Sequence, residues 1–537
     1  MPARRGSYEP FAQSKPKHVA VRREAPANRD LEERITVVLP PRMLPRERAA
    51  AIARLGKQLP HAREYFDSHE YEEKCGADSD HLAAVEAFGR KHGLAVEETS
   101  AVKRCVVLRG TVGTVEEAFR VAMYEYSGPT AQYRSHPGPL YLPARLHGII
   151  EAVLGLDARP VTMPLVAAVP ALAKRTTPPK EVAEIYDFPD GDGAGQSVGI
   201  VLPGGGFRKK DMEAYFARQR LPMPKIKVVE VLGVRNKPTK RGEIDLVRRI
   251  FHEGVKLSQS NLSEFAAGLF TTEANLDVQL VGAFANGARI VVYFSPDNTE
   301  GHFHAISEAL TDRHQPGVIS CSWSAHESEL PMQAIKVMDT VFQTAILKGV
   351  TICFSSGDDG DGSLWGKKLG VHFPSSSPHV LACGGTEFAG ARGEQVWDES
   401  TPKFRMASGG GFSRFRRPAW QSEIRAGDHK GRGVPDVAGK ADVQGGYEIV
   451  AIGERFNMGG TSAAAPMWAS LITRINQCLG KRVGFINPLL YSPHFGLATR
   501  DIVKGNNGSF SAGPGWDACT GLGSPNGKAL LKALSGS

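Results

Sequence analysis

Long apolar runs are absent from this sequence. No stretch approaches the roughly eighteen consecutive apolar residues that a membrane-spanning helix requires. The opening residues, MPARRGSYEPFAQSKPKHVA, carry basic side chains but lack the apolar core of a secretory signal peptide. We therefore expect no membrane partner, and export by a standard signal peptide has no support.

Cysteine is scarce, and its spacing has no pattern. The seven cysteines include no CxxC pair and lack the close, even spacing of a small disulfide-framed domain. A structural zinc site is therefore not expected, and the cysteines do not reveal the redox compartment.

Concentrated charge of one sign is also missing. Lys and Arg total 65 against 57 Asp and Glu, and they are scattered along the chain rather than gathered on one helix or tract. Nucleic acid is therefore not an expected partner. The hydrophobic fraction of 41% is ordinary for a globular protein, so the chain can bury a large core.

The chain is too long for one ordinary domain of roughly 100 to 200 residues, and its pattern divides into four regions. Residues 1–34 are expected to be a flexible N-terminal segment. Residues 35–164 alternate strand-like and helix-like patches, which predicts an α+β module. Residues 165–177 combine proline, alanine and basic side chains, as in a linker open to proteolysis, and residues 178–537 form the remaining domain.

Continuous apolar runs dominate the pattern after about Gln196. They are QSVGIVL, ARIVVYFSP, GVISCSW and GVTICFSS, with amphipathic segments such as MQAIKVMDTVFQTAILKG between them. This pattern predicts an α/β fold in which helices cover both faces of a parallel sheet. In such sheets, functional groups gather at the carboxyl ends of the strands.

A serine follows two glycines in the segment NMGGTSAAAP, residues 457–466. The glycines allow a sharp turn, and the small residues after them predict a helix that starts near Ser462. A hydroxyl group there lies near the positive end of the helix dipole, beside free backbone N–H groups that bind a developing oxyanion. An ordinary serine N-cap explains the same pattern, so this segment alone does not decide between the two roles.

Two carboxylates four residues apart, Glu273 and Asp277, lie in a helix predicted from about Phe270 to Ala285. This spacing puts both on one helix face, where like charges repel unless they share a proton or face a cation. Acidic pairs are common on protein surfaces, so this pair acquires functional meaning only if it is coupled to the serine.

A third acidic position follows the apolar strand VTICF, in the segment SSGDDGDG, residues 355–362. An acidic residue at the end of a strand can hold a metal, cap a turn or, when protonated, donate a hydrogen bond to an oxyanion. Asp358 is closest to the strand end, whereas Asp359 and Asp361 are typical of a polar Asx-rich turn.

Together these segments resemble one known family, the sedolisins or serine-carboxyl peptidases, and within it the kumamolisin-like branch. The similar segments are GGTSAAAP, the ExxxD helix before ANGARIVVYFSP, ISCSW, SSGD, LACGGT, GRGVPDVAG and GPGWDACTGLGSP. Residues 35–164 also resemble the family's pro-domain, so the resemblance covers nearly the whole chain. It implies a subtilisin-like α/β catalytic domain with a parallel sheet, preceded by an α+β, ferredoxin-like pro-domain.

The resemblance implies a role for each of the four residues. Ser462 matches the nucleophile, Glu273 the general base and acid, Asp277 its orienting partner, and Asp358 the carboxylic acid that stabilises the oxyanion. The implied activity is a serine-type endopeptidase that hydrolyses peptide bonds in proteins through an acyl-enzyme. Because an unperturbed Glu has a pKa of about 4.3 against about 6.5 for histidine, we expect this enzyme to act in acid.

Two further positions bear on the carboxyl groups. Trp323 in ISCSW matches a tryptophan near the family's carboxyl network, although packing beside the sheet explains it equally well. Kumamolisin-type enzymes carry an additional acid where this sequence has Leu202, which leaves the pH optimum open.

A structural calcium site is implied near the C-terminus. The residues that match the family's site are Asp501, Ile502, Gly513, Gly515 and Asp517. Two carboxylates, three backbone carbonyls and a water would supply about six hard oxygen ligands, which suits one Ca²⁺ ion. Glycine turns with aspartates are common, so the spacing by itself would not establish the site.

Two alternative functions stay open. His302, His304 and His326 lie near the acidic helix and the ISCSW strand, so a Ser-His-Asp hydrolase of the subtilisin type is the first. It lacks a histidine in the ExxxD helix and an HGT-type segment. The second is a calcium-stabilised binding protein on the same fold, which the four competent catalytic positions disfavour.

The pro-domain implies a self-processing proenzyme. We expect it to assist folding and to inhibit the catalytic domain of its own chain until acid weakens their ion pairs, with cleavage between about Ala171 and Pro178. Proteins and peptides are the expected substrates, and the mature enzyme is expected to be a monomer. Acid function implies a secreted, extracellular enzyme, whereas its side-chain specificity cannot be read from the sequence.

Overall fold

A computed structural model shows how these elements assemble. It describes the chain except residues 1–6, 18–21, 129–130, 162–167, 170–175, 253–257, 259, 365–366, 369, 390–392, 402–404 and 537. Within the described part of the chain, no helix is both long enough and apolar enough to cross a membrane.

The N-terminal unit, which the resemblance implies is a pro-domain and which is called so below, combines antiparallel strands with helices. Its strands are β1 (Tyr8–Phe11), β2 (Arg22–Pro26), β3 (Glu32–Val38), β4 (Ala95–Ser100), β5 (Cys105–Thr111), β6 (Tyr124–Ser127), β7 (Gln132–Ser135), β8 (Leu140–Pro143) and β9 (Ala152–Leu154). Its helices are α1 (Pro45–Gly56), α2 (Ser68–Cys75), α3 (Ser79–Lys91) and α4 (Val112–Phe119).

The main sheet of the pro-domain has the order β4-β5-β3-β9, and each neighbouring pair is antiparallel. Helices separate β3 from β4, β4 and β5 are consecutive, and α4 precedes the strands that lead to β9. This is the split βαβ arrangement of the expected ferredoxin-like fold. The predicted helix near residues 80–93 is α3, which Asp78 caps and which buries Val85 and Phe88 on its apolar face.

Residues 1–34 differ from the expected flexible segment. Strand β1 pairs with β8, β2 pairs with β6, and β3 already begins at Glu32. All side chains of β2 are exposed, so it has no apolar periodicity, and it is backbone pairing with β6 that places it in a sheet. The ordered pro-domain therefore starts near Tyr8 rather than at Ile35.

The C-terminal unit is larger and contains the apolar strands predicted from the sequence. Its strands are β10 (Ala168–Val169), β11 (Ser197–Leu202), β12 (Lys225–Glu230), β13 (Arg289–Phe294), β14 (Val318–Cys321), β15 (Ala325–His326), β16 (Thr351–Ser355), β17 (Ser363–Leu364), β18 (Lys367–Lys368), β19 (His372–Phe373), β20 (Leu381–Ala389), β21 (Gly393–Val396), β22 (Gly411–Arg416), β23 (Gly431–Val434), β24 (Val437–Lys440), β25 (Tyr447–Ala451), β26 (Glu454–Met458), β27 (Thr499–Arg500) and β28 (Ser524–Pro525). Its helices are α5 (Pro179–Ile185), α6 (Lys209–Arg218), α7 (Arg241–His252), α8 (Leu262–Phe284), α9 (Thr299–Thr311), α10 (Met332–Leu347), α11 (Thr461–Leu479), α12 (Asn487–Leu490) and α13 (Gly527–Ser535).

The central sheet of this unit is parallel along the order β12-β13-β11-β14-β16-β20-β24, and β21 adds to β20 in the antiparallel sense. Successive residues of a strand face opposite sides of the sheet, and Val318 and Ile319 of β14 accordingly belong to different apolar cores. Helix α11 contributes to the core of Val318, and α9 and α10 contribute to the core of Ile319. Helices therefore cover both faces, as predicted.

Helix α8 is longer than its predicted span and is buried around most of its circumference. It starts at Leu262, and its residues from Thr271 to Gly282 are all buried. The helix lies inside the core, where it packs against α11 and the central sheet. The two carboxyl side chains on it, Glu273 and Asp277, are carried into the interior with it.

The pro-domain sheet docks on α9 and α10. Gln333 of α10 exchanges hydrogen bonds with the backbone of Val153 in β9, at 2.9 and 3.1 Å. Thr36 of β3 donates a hydrogen bond to Glu300 of α9 at 2.6 Å, and this contact is buried. The pro-domain is thus held by specific polar contacts on the sheet face that α9 and α10 cover.

Candidate active site

Ser462 lies at the start of α11, where the chain turns sharply out of β26. Gly460, just before the helix, has a φ of +84°, and a Cβ atom on it would lie 2.5 Å from a carboxyl oxygen of Asp358. Glycine is needed there both for its conformation and for its lack of a side chain. The Ser462 side chain is buried, and its Oγ donates to the backbone oxygen of Ser322 at 3.4 Å. The turn and the helix start predicted from NMGGTS are both present.

Glu273 and Asp277 lie one turn apart on α8, and both are buried. Asp277 Oδ1 accepts a hydrogen bond from Ser322 Oγ at 2.7 Å, and that hydroxyl also lies 3.2 Å from the backbone oxygen of Ser462. Ser322 therefore links the acidic pair to the serine. Neither carboxyl oxygen of Glu273 has a hydrogen-bond partner within the described residues, so Glu273 is free to exchange a proton.

Burial controls the protonation of this pair. Desolvation, together with repulsion from Asp277, raises the pKa of Glu273 well above its usual value. The Ser462 hydroxyl lies close enough to Glu273 to oppose this rise, although the two groups do not meet hydrogen-bond geometry. Desolvation raises the pKa of Asp277 to about 8, against the hydrogen bond from Ser322. The two carboxyl groups titrate as one coupled pair that keeps a proton at neutral pH.

Asp358 follows β16 and faces the N-terminus of α11. Its Oδ1 accepts hydrogen bonds from the backbone N and the Oγ1 of Thr461, at 2.8 and 2.6 Å. Burial raises the pKa of Asp358 to about 7, although the hydrogen bonds from Thr461 oppose the rise. Because Oδ1 accepts both bonds, Oδ2 is the oxygen available to carry a proton and donate it in a hydrogen bond.

One pocket brings these groups together. It has about 340 Å³ of empty space and is lined by Glu273, Ser322, Trp323, Ser324, Ser355, Gly357, Asp358, His372, Thr461 and Ser462. Three of the four predicted catalytic residues line it directly, and Asp277 reaches it through the hydroxyl of Ser322. The arrangement brings a hydroxyl group and two carboxyl groups with raised pKa values together in one cleft.

Two hydroxyl side chains in this site were not singled out from the sequence. Ser322 connects Asp277 with Ser462, and Thr461 orients Asp358. Both lie inside the segments ISCSW and GGTS, but their role depends on the meeting of strands and helices that are far apart in the chain. Of the two, only Ser322 could have been suspected from the sequence, because it follows the predicted strand β14, at whose carboxyl end functional groups gather.

Trp323 and Leu202 differ in their surroundings. Trp323 lines the catalytic pocket and stacks on Phe270 with ring centroids 4.9 Å apart, so it both packs and borders the carboxyl groups. Leu202 is fully buried at the end of β11 and offers no proton.

The histidines considered for a Ser-His-Asp site have other partners. His304 contacts Thr36 of the pro-domain at 2.8 Å, and His326 contacts Asp359 and the backbone of Gly370. His302 lines a separate apolar pocket. Within the described residues, none of the three hydrogen-bonds to Ser462.

The positions predicted to bind calcium meet at one glycine-rich turn. The backbone N of Gly515 donates to Asp501 Oδ2 at 2.9 Å, and that of Gly513 donates to Asp517 Oδ2 at 3.1 Å. Both carboxylates therefore border the same turn. The donor set consists of oxygen atoms, as Ca²⁺ prefers, but Asp517 Oδ1 already accepts the backbone N–H groups of Cys519 and Thr520.

Comparisons with known families agree with the two-unit architecture. The family described as "Pro-kumamolisin, activation domain" matches residues 19–159, and the subtilase family matches residues 265–483. The first match lies within the N-terminal ferredoxin-like unit, and the second lies within the unit that carries Ser462. The chain is therefore a subtilisin-like peptidase preceded by an activation domain.

Similarity to individual proteins shows to which family of peptidases the chain belongs. Kumamolisin from Bacillus sp. (strain MN-32) is 37% identical over 546 residues, which cover 95% of this chain and 93% of kumamolisin. Tripeptidyl-peptidase 1 from Mus musculus is 34% identical over 303 residues, covering 49% of this chain and 51% of that protein. The solved structure of Pseudomonas sedolisin, a serine-carboxyl proteinase, has a TM-score of 0.57 and 26% identity, over 68% of this chain and 99% of its own.

The chain belongs to the sedolisin family of serine-carboxyl peptidases, in the branch of kumamolisin. It is a serine-type peptidase, a hydrolase that acts on peptide bonds and is made with an activation domain. The family, the fold and the enzyme class predicted from the sequence are confirmed.

Proposed function

We propose that this chain is the proenzyme of an acid-acting endopeptidase in which Ser462 is the nucleophile, served by three carboxyl groups. Glu273 is the general base and acid, Asp277 orients and shares a proton with Glu273, and Asp358 stabilises the oxyanion. The observation that carries this proposal is the single pocket lined by Ser462, Glu273 and Asp358, with Asp277 tied to it through Ser322.

The proposed reaction begins with attack of Ser462 Oγ on the peptide carbonyl carbon while the hydroxyl proton passes to Glu273. The carbonyl oxygen becomes an oxyanion, which accepts a hydrogen bond from the protonated Oδ2 of Asp358. Glu273 then gives its proton to the departing amine as the acyl-enzyme forms. In deacylation a water molecule loses a proton to Glu273 and attacks the acyl carbon; the bond from that carbon to Ser462 Oγ then breaks, and Oγ regains a proton from Glu273.

Acid operation follows from Asp358, which must be protonated to donate to the oxyanion and loses that proton as pH rises through its pKa of about 7. Burial of Glu273 and Asp277 raises the pKa of each, which makes the Glu273 carboxylate a stronger proton acceptor than a free carboxylate. The same rise lets the pair hold protons up to neutral pH, so the working form has lost one of the two protons that the pair holds in stronger acid. The singly protonated pair, in which Asp277 carries the proton and Glu273 receives another from Ser462, is the proposed working form.

Self-processing is supported by the course of the chain around the pocket. Val161 of the pro-domain lies in an apolar pocket lined also by Ser324, which borders the catalytic pocket as well. The described chain resumes with β10, where Ala168 pairs with Met458 in the strand that leads to Ser462. Of the predicted cleavage region from Ala171 to Pro178, residues 171–175 lie outside the described residues. We propose that Ser462 cleaves the linker between the two units.

Replacing Ser462 with alanine tests the nucleophile and the processing together. Wild-type chain placed in acid should convert to a form that lacks the pro-domain, whereas Ser462→Ala should remain full-length and lose activity by a factor of about 10³ or more. Gel electrophoresis and N-terminal sequencing measure both outcomes.

Ser470→Ala is a matched control, since this buried serine of the same helix donates only to the Pro466 backbone at 2.7 Å and does not line the pocket. It should process normally. Maturation of the Ser462→Ala chain in acid, without any added protease, would contradict the proposal.

Release of the pro-domain is proposed to depend on two buried groups of α9. Thr36 Oγ1 lies 2.6 Å from Glu300 Oε1 and 2.8 Å from His304 Nε2. Desolvation raises the pKa of Glu300 from 4.5 to about 7 and lowers the pKa of His304 from 6.5 to about 3. The charged side chains around the two groups are Glu33, Arg34, Glu97 and Lys103 of the pro-domain.

The pKa shifts of Glu300 and His304 have opposite effects on how the free energy of docking changes with pH. Glu300 favours docking fully below pH 4.5, and its contribution is lost as pH rises through about 7. His304 favours docking fully above pH 6.5, and its contribution is lost as pH falls through about 3. As pH falls from 6.5 to 4.5, the growing contribution of Glu300 to docking offsets the declining contribution of His304. Below pH 4.5 the contribution of Glu300 is complete, so only the decline from His304 remains and docking weakens.

Two substitutions test the contributions of Glu300 and His304 to pro-domain release separately. In the Ser462→Ala chain nicked in its linker by an added protease, His304→Gln should shift pro-domain release to lower pH. Glu300→Gln should shift it to higher pH, because the amide removes the contribution that grows as pH falls. Size-exclusion chromatography from about pH 7 to 3 measures release, the range in which these groups titrate. Identical release curves for all three chains would refute this account.

We also propose that one Ca²⁺ ion binds at Asp501, Asp517 and the carbonyl oxygens of Ile502, Gly513 and Gly515. The support is the shared glycine turn that both carboxylates border and the all-oxygen donor set. When bound, the ion would tie the turn to Asp501 and stabilise the C-terminal part of the fold.

Thermal unfolding tests the calcium proposal. Calcium at about 100 times its dissociation constant should stabilise the folded chain by about 2.7 kcal/mol, which raises the Tm by several degrees. Asp501→Asn should remove most of this shift, and Asp428→Asn, at an exposed aspartate of another loop, should leave it unchanged. The absence of any calcium-dependent shift in the unmodified chain would rule the site out.

We further propose that the mature enzyme works as a monomer outside the cytoplasm on proteins and peptides. The support is functional, since an acid-acting peptidase needs an acid environment. Activity and mature chain in the medium of producing cells, together with the mass of the mature enzyme in solution, test these two points.

A further inference from the structure

A second group of ionisable side chains lies beside the catalytic pocket. It consists of His326 in β15, His372 in β19 and Asp359, the residue after Asp358. Strands β15 and β19 pair so that His326 lies opposite His372, and the two ring centroids are 4.2 Å apart. All three side chains are at most 3% exposed. From the sequence, Asp359 was interpreted only as a turn residue and His326 only as an alternative base.

The hydrogen bonds on the outer side of the cluster fix the state of one ring. His326 Nδ1 lies 3.0 Å from the backbone oxygen of Gly370, and because a carbonyl oxygen only accepts, Nδ1 must carry the hydrogen. In the neutral ring, Nε2 then presents a lone pair. The outer nitrogen of His372 is also occupied, with Nδ1 2.9 Å from Ser324 Oγ, but a hydroxyl group can donate or accept, so this contact does not fix the tautomer of His372.

The inner side of the cluster is left without full hydrogen bonding. His326 Nε2 and Asp359 Oδ2 are 2.8 Å apart, an ion pair when His326 is protonated, but with His326 neutral they are not aligned as a hydrogen bond, and neither has another such partner within the described residues. Asp359 Oδ1 lies 3.0 Å from His372 Nε2. Two buried polar atoms that face each other without a hydrogen bond are costly, and an ion between them would satisfy both.

We propose that His326, His372 and Asp359 form a binding site for a divalent transition-metal ion of the zinc class. Two imidazole nitrogens and one carboxylate oxygen are the ligands such an ion prefers, and a water molecule would complete four-fold coordination. The bonds of the outer ring nitrogens to Gly370 and Ser324 are those that orient metal-binding histidines. This site uses no cysteine and is separate from the proposed calcium site, which offers only oxygen.

The backbone around the cluster leaves little freedom for it to rearrange. Gly357 has a φ of +109°, and a Cβ atom there would lie 2.9 Å from the His372 ring. Gly362 has a φ of +73°, and a Cβ atom there would lie 2.2 Å from the backbone oxygen of Gly370, the acceptor for His326. Because the loop after β16 packs this closely on β15 and β19, a bound ion would join the loop that holds Asp358 to those two strands.

Metal binding is tested on the full-length Ser462→Ala chain, which stays intact. After removal of metals by a chelator, the chain is titrated at pH 7.5 with Zn²⁺ and with Co²⁺ in a buffer that contains excess Ca²⁺. Calorimetry measures the stoichiometry, and visible absorption of Co²⁺ reports on four-fold coordination by nitrogen and oxygen. We expect one ion per chain in both titrations, together with a higher Tm for the loaded chain.

Single substitutions in the same background locate the ion. Asp359→Asn and His326→Gln should each weaken binding by about 100-fold or more, since even the loss of a group that only hydrogen-bonds to a metal ligand costs about 10- to 100-fold. His302→Gln is the matched control, because His302 Nε2 is also buried and without a hydrogen bond but lies outside the cluster. Circular dichroism confirms that each variant is folded.

Two results would overturn the proposal. One is the absence of Zn²⁺ or Co²⁺ binding by the unmodified cluster, which would leave it as an imidazolium–carboxylate group. The other is binding that is equally tight in folded Asp359→Asn and His326→Gln chains, which would place the ion elsewhere.

Discussion

Burial of acidic side chains without a cation beside them is the constraint on which the rest of this structure depends. Glu273 and Asp277 lie on a helix that is enclosed on nearly all sides, and no Lys or Arg contributes to their pKa shifts. A charge in such surroundings is expensive, so the pair keeps a proton and its carboxylate form becomes a stronger base. In the proposed mechanism, removal from water is what allows these carboxyl groups to take the place of imidazole.

The same fold explains why the other groups lie where they do. Asp358 follows a central strand, and Ser462 begins the helix that packs on the other carboxyl-bearing helix, so the carboxyl end of the sheet collects the hydroxyl and the acids. Gly460 lets the serine and Asp358 approach each other closely. The pro-domain docks on α9 and α10 through polar contacts, two of which titrate between neutral and acid pH. The catalytic chemistry and the proposed release of the pro-domain therefore depend on the same variable, the proton concentration.

Much of this architecture could be predicted from the sequence because its signals are local. Apolar runs indicated the central strands, the glycine pair indicated the turn before Ser462, and the four-residue spacing placed Glu273 and Asp277 on one face of α8. Contacts between distant segments could not be predicted in this way. Strand β2 of the pro-domain has only exposed side chains and is placed by backbone pairing, and the meeting of His326 with His372 depends on two very short strands. Ser322 likewise acquires its role only when β14 ends beside α8 and α11.

The pH dependence of peptide hydrolysis by the mature enzyme tests the central claim most directly. Cleavage of denatured casein should be measured for the wild-type enzyme and for Glu273→Gln from about pH 2 to 8, the range that spans carboxyl and imidazole titration. The carboxyl mechanism predicts activity on the acid side that is lost in Glu273→Gln, because an amide cannot take the proton of Ser462. Activity that is highest at or above neutrality and persists in Glu273→Gln would contradict it and would indicate a histidine base.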